Sequence, residues 1–87
     1  MQSTLNLLGE AEKQKNLSEW ARELGLSTRA LYTARDRGHL SPAVAGAMAE
    51  KLGKNVEGWV FIAAVESEKD SACKERMLKR ARQITSL

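Results

Sequence analysis

Residues 17–38, LSEWARELGLSTRALYTARDRG, set two short helical patterns on either side of a tight Leu24-Gly25-Leu26-Ser27 turn. Two helices that cross steeply need a small residue where they approach, and Ala21 supplies it. The reversal must avoid a Cβ penalty, which Gly25 does. Trp20, Leu24, Leu26, Leu31 and Ala34 have the spacing to lock the pair onto a core. The second pattern leaves Thr28, Arg29, Tyr32 and Thr33 as i+3 and i+4 neighbours on a polar free face. Together these conditions describe a helix-turn-helix.

The rest of the chain reads as more helix. The 87 residues suffice for one small domain. A first segment is expected from about Thr4 to Lys15, with Leu5, Leu8 and Glu12 at helical spacing beside Ala11. Asn16 caps the second, and Glu19 completes a capping box. Ser27 is the expected cap of the third, which runs to about Arg37 and ends at Gly38. Ser41-Pro42 opens the fourth, whose stripe is Val44, Ala45, Met48, Ala49 and Leu52 before Gly53. Asn55 caps a fifth from Val56 to about Glu66, apolar around most of its circumference. A sixth, from about Asp70 to Ile84, aligns Cys73, Met77, Ala81 and Ile84 on one side. No stretch alternates with period two, so the fold class is all-α, without strands.

Composition narrows the function. Hydrophobic residues make up 43% of the chain and there is one proline, so a packed core is available. No apolar run approaches the roughly 20 residues of a membrane span. The opening MQSTLNLLGEAEK lacks the basic start and long apolar block of a signal peptide. Cys73 is the lone cysteine, which suits a cytoplasmic setting and a small apolar helix contact. One histidine, one cysteine and two scattered aspartates provide neither a metal site nor a nucleophile with its base. There is no glycine-rich phosphate loop, and Glu10 and Glu12 read as solubilising charge. An enzyme is not expected, nor a metal or cofactor.

The net charge of +3 is unevenly placed. Residues 1–26 and 40–70 balance at −1 and −2. Residues 27–39 reach +2, from Arg29, Arg35 and Arg37 against Asp36. Residues 71–87 reach +4, from Lys74, Arg76, Lys79, Arg80 and Arg82 against Glu75. A polyanion is drawn to those two places.

Residues 17–38, followed by His39-Leu40-Ser41-Pro42, resemble the Cro/repressor (XRE-type) helix-turn-helix family of phage and bacterial regulators. The matching residues are Ala21 and Gly25, the aliphatics Leu24, Leu26 and Leu31, the Ser27 cap, and the exit at Gly38 and Pro42. The resemblance covers roughly residues 3–66, and the opening LNLLGEAEKQKN is also similar to small repressors of filamentous phages and prophages. Trp20 is bulkier than the aliphatic residue usual at its place and Ala34 smaller than the residue usual at its own; the indole is expected to fill the space that Ala34 leaves.

The resemblance implies a compact five-helix DNA-binding domain over 1–66, dimeric on a two-fold operator, and most often a repressor of transcription. It implies that Thr28, Arg29 and Thr33 face base edges, with Tyr32 beside them or covering the core edge. Arg29 suits guanine O6 and N7, while the threonines suit a thymine methyl or an acceptor. Leu17, Ser18, Ser27, Arg35, Arg37 and His39 then meet the DNA backbone.

Residues 67–87 lie outside the family pattern, as an additional basic C-terminal helix for packing, dimerisation or a second DNA contact. Trp59, Phe61, Ile62, Val65 and Met77 are the candidate dimer interface, unless the sixth segment of the same chain covers the fifth. The expected partners are double-stranded DNA, through its major groove, and a second copy, on the nucleoid of a bacterial cytoplasm. Two rival readings remain: a protein-interaction module (antirepressor or adaptor) using the fifth and sixth helices on a regulatory protein, and an antitoxin-type autoregulator.

Overall fold

Local signals account for most element boundaries. The computed structural model describes residues 3–85 and contains α1 (Thr4–Glu12), α2 (Leu17–Glu23), α3 (Ala30–Arg37), α4 (Pro42–Lys51), α5 (Val56–Glu66) and α6 (Ala72–Thr85). There is no strand among the described residues, and the outer ends of the 1–66 and 67–87 units lie outside them. Asn16 Oδ1 accepts the Glu19 amide at 2.9 Å, and Glu19 Oε1 accepts from Asn16 Nδ2 at 2.8 Å, so the box closes between the two side chains. Asn55 Oδ1 likewise accepts the Gly58 amide at 2.7 Å, which sets the start of α5.

The end of α2 is a Schellman motif. The Leu26 amide donates to the Ala21 carbonyl at 2.8 Å and the Gly25 amide to that of Arg22 at 3.1 Å. Gly25 stands at φ +75°, where a Cβ would be strained.

Expectations for three of the helices need correction. α1 stops at Glu12 instead of near Lys15, and the Ala11 carbonyl at its end accepts the Trp20 indole N–H at 2.7 Å. Its buried face is Thr4, Leu7, Leu8 and Ala11, leaving Leu5 36% exposed, so the anticipated Leu5–Leu8–Glu12 stripe is off-centre. α3 starts at Ala30, because the Ser27 hydroxyl caps nothing; the Ala30 amide bonds the Ser27 carbonyl at 3.0 Å and Arg29 holds the cap position. On α6 only Ala81 is fully enclosed; Met77, Leu78 and Ile84 are half-buried, and Cys73 is exposed, not an apolar contact.

α5 is the central rod, packed on α4 along one side and α6 along another; α1 braces α2, α4 and α5, and α3 rests on α2. A Cβ on Gly46 would stand 2.6 Å from Val60 Cγ2, so the Val60 side chain of α5 packs directly on the backbone of α4. Leu7, Leu17, Trp20, Leu31, Met48 and Ile62 are enclosed in one core, which also holds Ala34.

One buried polar residue ties three distant segments together. The Thr4 hydroxyl donates to Glu66 Oε1 at 2.6 Å and accepts the Leu40 amide at 2.9 Å. The Thr4 amide donates to the same carboxylate at 3.3 Å. Ser3 offers no side-chain cap to α1, so Glu66 satisfies an orphan N–H at the positive helix end from the far end of α5. The exit of the motif at Leu40 is thereby fixed to the N-terminus and to α5.

Candidate nucleic-acid interface

Thr28, Arg29 and Thr33 are exposed, and no ion pair or hydrogen bond engages the Arg29 guanidinium among the described residues. Thr28 and Arg29 lie in the turn ahead of α3 and not on its first helical turn. Arg29 adopts φ −98° and ψ −3°, and its carbonyl accepts the Thr33 amide at 2.9 Å. Arg29 and Thr33 thus bracket the first turn of α3 on its outer side. Tyr32 is half-buried, with the Arg35 guanidinium 5.4 Å from its ring centroid, so both roles considered for it retain part of the ring.

The expected backbone contacts divide by what the chain does with them. Leu17 is 1% exposed, main chain included, so it belongs to the core, and its expected contact with the DNA backbone is corrected. Ser18 is half-buried and Ser27 exposed, but the Ser27 carbonyl already holds the Ala30 amide, which removes one of the amides available to a phosphate. Arg35 Nη1 lies 3.4 Å from Glu12 Oε2, so α1 compensates its charge. Arg37 Nη2 donates to the His39 carbonyl at 3.2 Å, which aims the guanidinium while leaving its charge uncompensated. His39 is half-buried and its Nδ1 is shielded without a hydrogen-bond partner.

No family model, curated protein or solved structure matches this chain. What α3 can do therefore rests on its own geometry and charge.

The proposed dimer residues fare differently. Trp59, Ile62 and Val65 are 4%, 0% and 7% exposed within the single chain, because α4, α1 and α6 already enclose α5. They offer no free surface to a second copy, and that assignment is corrected. Phe61 and Met77 keep partial exposure, and Ala64 is open one helical turn beyond Phe61.

Glu23 of the motif and two glutamates of α1 are ion-paired, while Glu19 and Asp36 have no ion pair among the described residues. Glu23 is bridged by Lys15 and, at 3.7 Å, by Lys51, and Lys15 also lies 4.4 Å from the Trp20 ring centroid. The hydrogen bond from Lys15 holds the Glu23 carboxyl below the ordinary glutamate range. Glu10 is lowered in the same way by Lys54, at 2.9 Å. Glu12, which read as solubilising charge, instead restrains Arg35 from 23 positions away, a pairing without a sequence signal. Among the described residues no cluster of His, Cys, Asp and Glu suits a metal, and no helix is long and apolar enough to cross a membrane.

Proposed function

We propose that this protein is a sequence-specific DNA-binding transcriptional regulator of the Cro/repressor helix-turn-helix type, acting as a repressor and not as an enzyme. The supporting observation is the exposed, uncompensated Arg29 beside Thr28 and Thr33 on a helix pair held rigidly by its glycine elbow. In the major groove a guanidinium can bond guanine O6 and N7 together, and the two hydroxyls can serve neighbouring base edges. Arg37 and Ser18, near the start of α2, position the motif on phosphates without reading sequence.

A homodimer on an inverted repeat would hold half-site centres about 34 Å apart, one helical turn. Since Trp59, Ile62 and Val65 are enclosed, the second copy is expected to use the outer stripe of α5 at Phe61 and Ala64. Occupying an operator and blocking polymerase is the simplest mechanism.

The test begins by titrating the protein against mixed-sequence DNA at low and moderate salt, then selecting bound duplexes from a random library. Binding should fall steeply with salt. Arg29→Ala should cost about 1–3 kcal/mol on the selected duplex and relax preference at one base pair. Equal weakening on selected and random DNA would remove the base-reading role. Salt-independent association, or none, would refute the assignment and turn attention to a protein partner.

A further inference from the structure

The two tryptophans treat their indole nitrogens differently. Trp20 donates to the Ala11 carbonyl at 2.7 Å. Trp59 is 4% exposed, yet its indole N–H has no hydrogen-bond acceptor among the described residues. Buried indole nitrogens usually find a partner. This one is not sealed in either: among the described residues, the side-chain polar atom that is both enclosed and unpartnered is His39 Nδ1. Trp59 lines a cleft of about 350 Å³ between α1, the turn from α4 to α5, and the end of α6. Its N–H opens into that cleft and can take an acceptor only from an occupant.

The other lining residues define what that occupant carries. Asn55 spends its Oδ1 on the Gly58 amide at 2.7 Å, which leaves its amide nitrogen as a donor. Lys54 Nζ lies 2.9 Å from Glu10 Oε2, in a pair whose side chains are 35% and 52% exposed. Glu10 is the single acid of the lining, and Lys54 already engages it. The cleft is therefore richer in donors than in free acceptors. Leu7, 1% exposed, and the Trp59 ring give it an apolar wall.

We propose that this cleft binds a small carboxylic acid with an apolar body, a role separate from whatever α3 contacts. A carboxylate is acceptor-only, so it suits the Trp59 N–H and the Asn55 amide nitrogen together. Lys54 meets its charge, in competition with Glu10, and the apolar body lies against Leu7 and the indole. A cation would face Lys54 and find the one acid engaged. A phosphate ester, with a charge of about −1.5 to −2, exceeds a single ammonium shared with Glu10. The volume is at the small end of ligand sites, which span roughly 300–1,000 Å³.

Benzoate is the probe. The intact chain, labelled with ¹⁵N, is titrated while the two indole N–H resonances are followed, with Trp59→Phe assigning them. The Trp59 resonance should move downfield and saturate, while that of Trp20, already bonded to Ala11, stays in place and reports on the fold. Benzamide and phenyl phosphate should bind more weakly than benzoate. Lys54→Met should weaken benzoate binding. Glu10→Gln should tighten it by up to about five-fold, the factor to which an exposed pair of about 0–1 kcal/mol converts. Glu10 and Lys54 are both exposed, so neither change threatens the core.

Four results would overturn the proposal. One is a Trp59 resonance unmoved up to the solubility limit of benzoate. The second is an equal response of both tryptophans, which would mean a general solvent effect. The third is benzamide or phenyl phosphate binding as tightly as benzoate, which would remove the carboxylate from the recognition. The last is Glu10→Gln leaving affinity unchanged or lower, since the internal acid would then not compete for Lys54.

Discussion

The two basic stretches carry charge in opposite ways. In residues 27–39, Arg35 is compensated by Glu12, Arg37 is aimed by a carbonyl of its own loop, and Arg29 is the one arginine left unengaged among the described residues. On α6, Lys74 pairs with Asp70 at 3.3 Å, while Arg76, Lys79 and Arg80 extend from the exposed side without an ion pair among the described residues. The anchoring differs in the same sense. The motif is tied by directed hydrogen bonds, from the Trp20 indole to Ala11 and from the Leu40 amide to Thr4. α6 is held against α5 by close approach, with Ala81 fully enclosed and Gly58 lying under Thr85 and Ile84. More charge does not make the better reader. Base recognition needs a side chain with few alternatives on a rigid support, whereas loose cations chiefly raise the local concentration of a polyanion.

Truncating the anchors should have the largest effect. Trp20→Ala is expected to cost about 3–5 kcal/mol in denaturant unfolding, since it removes a buried ring and leaves the Ala11 carbonyl without its indole donor. Ala81→Leu, overfilling the contact between α6 and α5, should cost about 1–3 kcal/mol. Hydrogen exchange separates the two: the first variant should lose protection throughout, the second mainly along α5 and α6. Uniform loss in both would mean that the two ends form one cooperative unit, and the contrast between them would dissolve.

Releasing an arginine is a smaller change that sharpens the comparison. Glu12→Gln frees Arg35 while barely altering stability, because an exposed pair contributes about 0–1 kcal/mol. The plot of log affinity for DNA against log salt should steepen by up to about one unit, one additional phosphate contact. An unchanged slope would show that Arg35 is directed away from DNA whether paired or not.

The smallest effect is on the acid side. Lys54 and Lys15 hold Glu10 and Glu23 below their ordinary value of 4.5, so their contribution is complete above that pH and is lost as pH falls below it. Replacing both glutamates by glutamine should make the fall in Tm below pH 4.5 shallower, with only a slight decrease at neutral pH. An acid limb as steep as that of the unaltered protein would assign it to other carboxylates.

The parts of this protein that are short-range in the chain are legible in the order of its residues. Asn16 and Asn55 cap helices whose amides lie three positions on, Gly25 ends α2 within one turn, and Pro42 enters α4 at its first position. Six helices and the elbow between α2 and α3 follow from such signals, because capping and backbone strain involve only neighbours. The start of α3 departs from its local signal: Ser27 has the chemistry of a cap, but its side chain is not used as one.

Which face each helix buries, and which charges stay free, was decided only when the chain closed on itself. Leu5 and Cys73 look like core residues and are exposed, while Trp59, Ile62 and Val65, offered to a partner, are covered by the chain's own helices. Glu66 caps α1 from 62 positions away, and Glu12 silences Arg35 from another helix. Burial and Coulomb pairing depend on distance in space, which the order of residues does not contain.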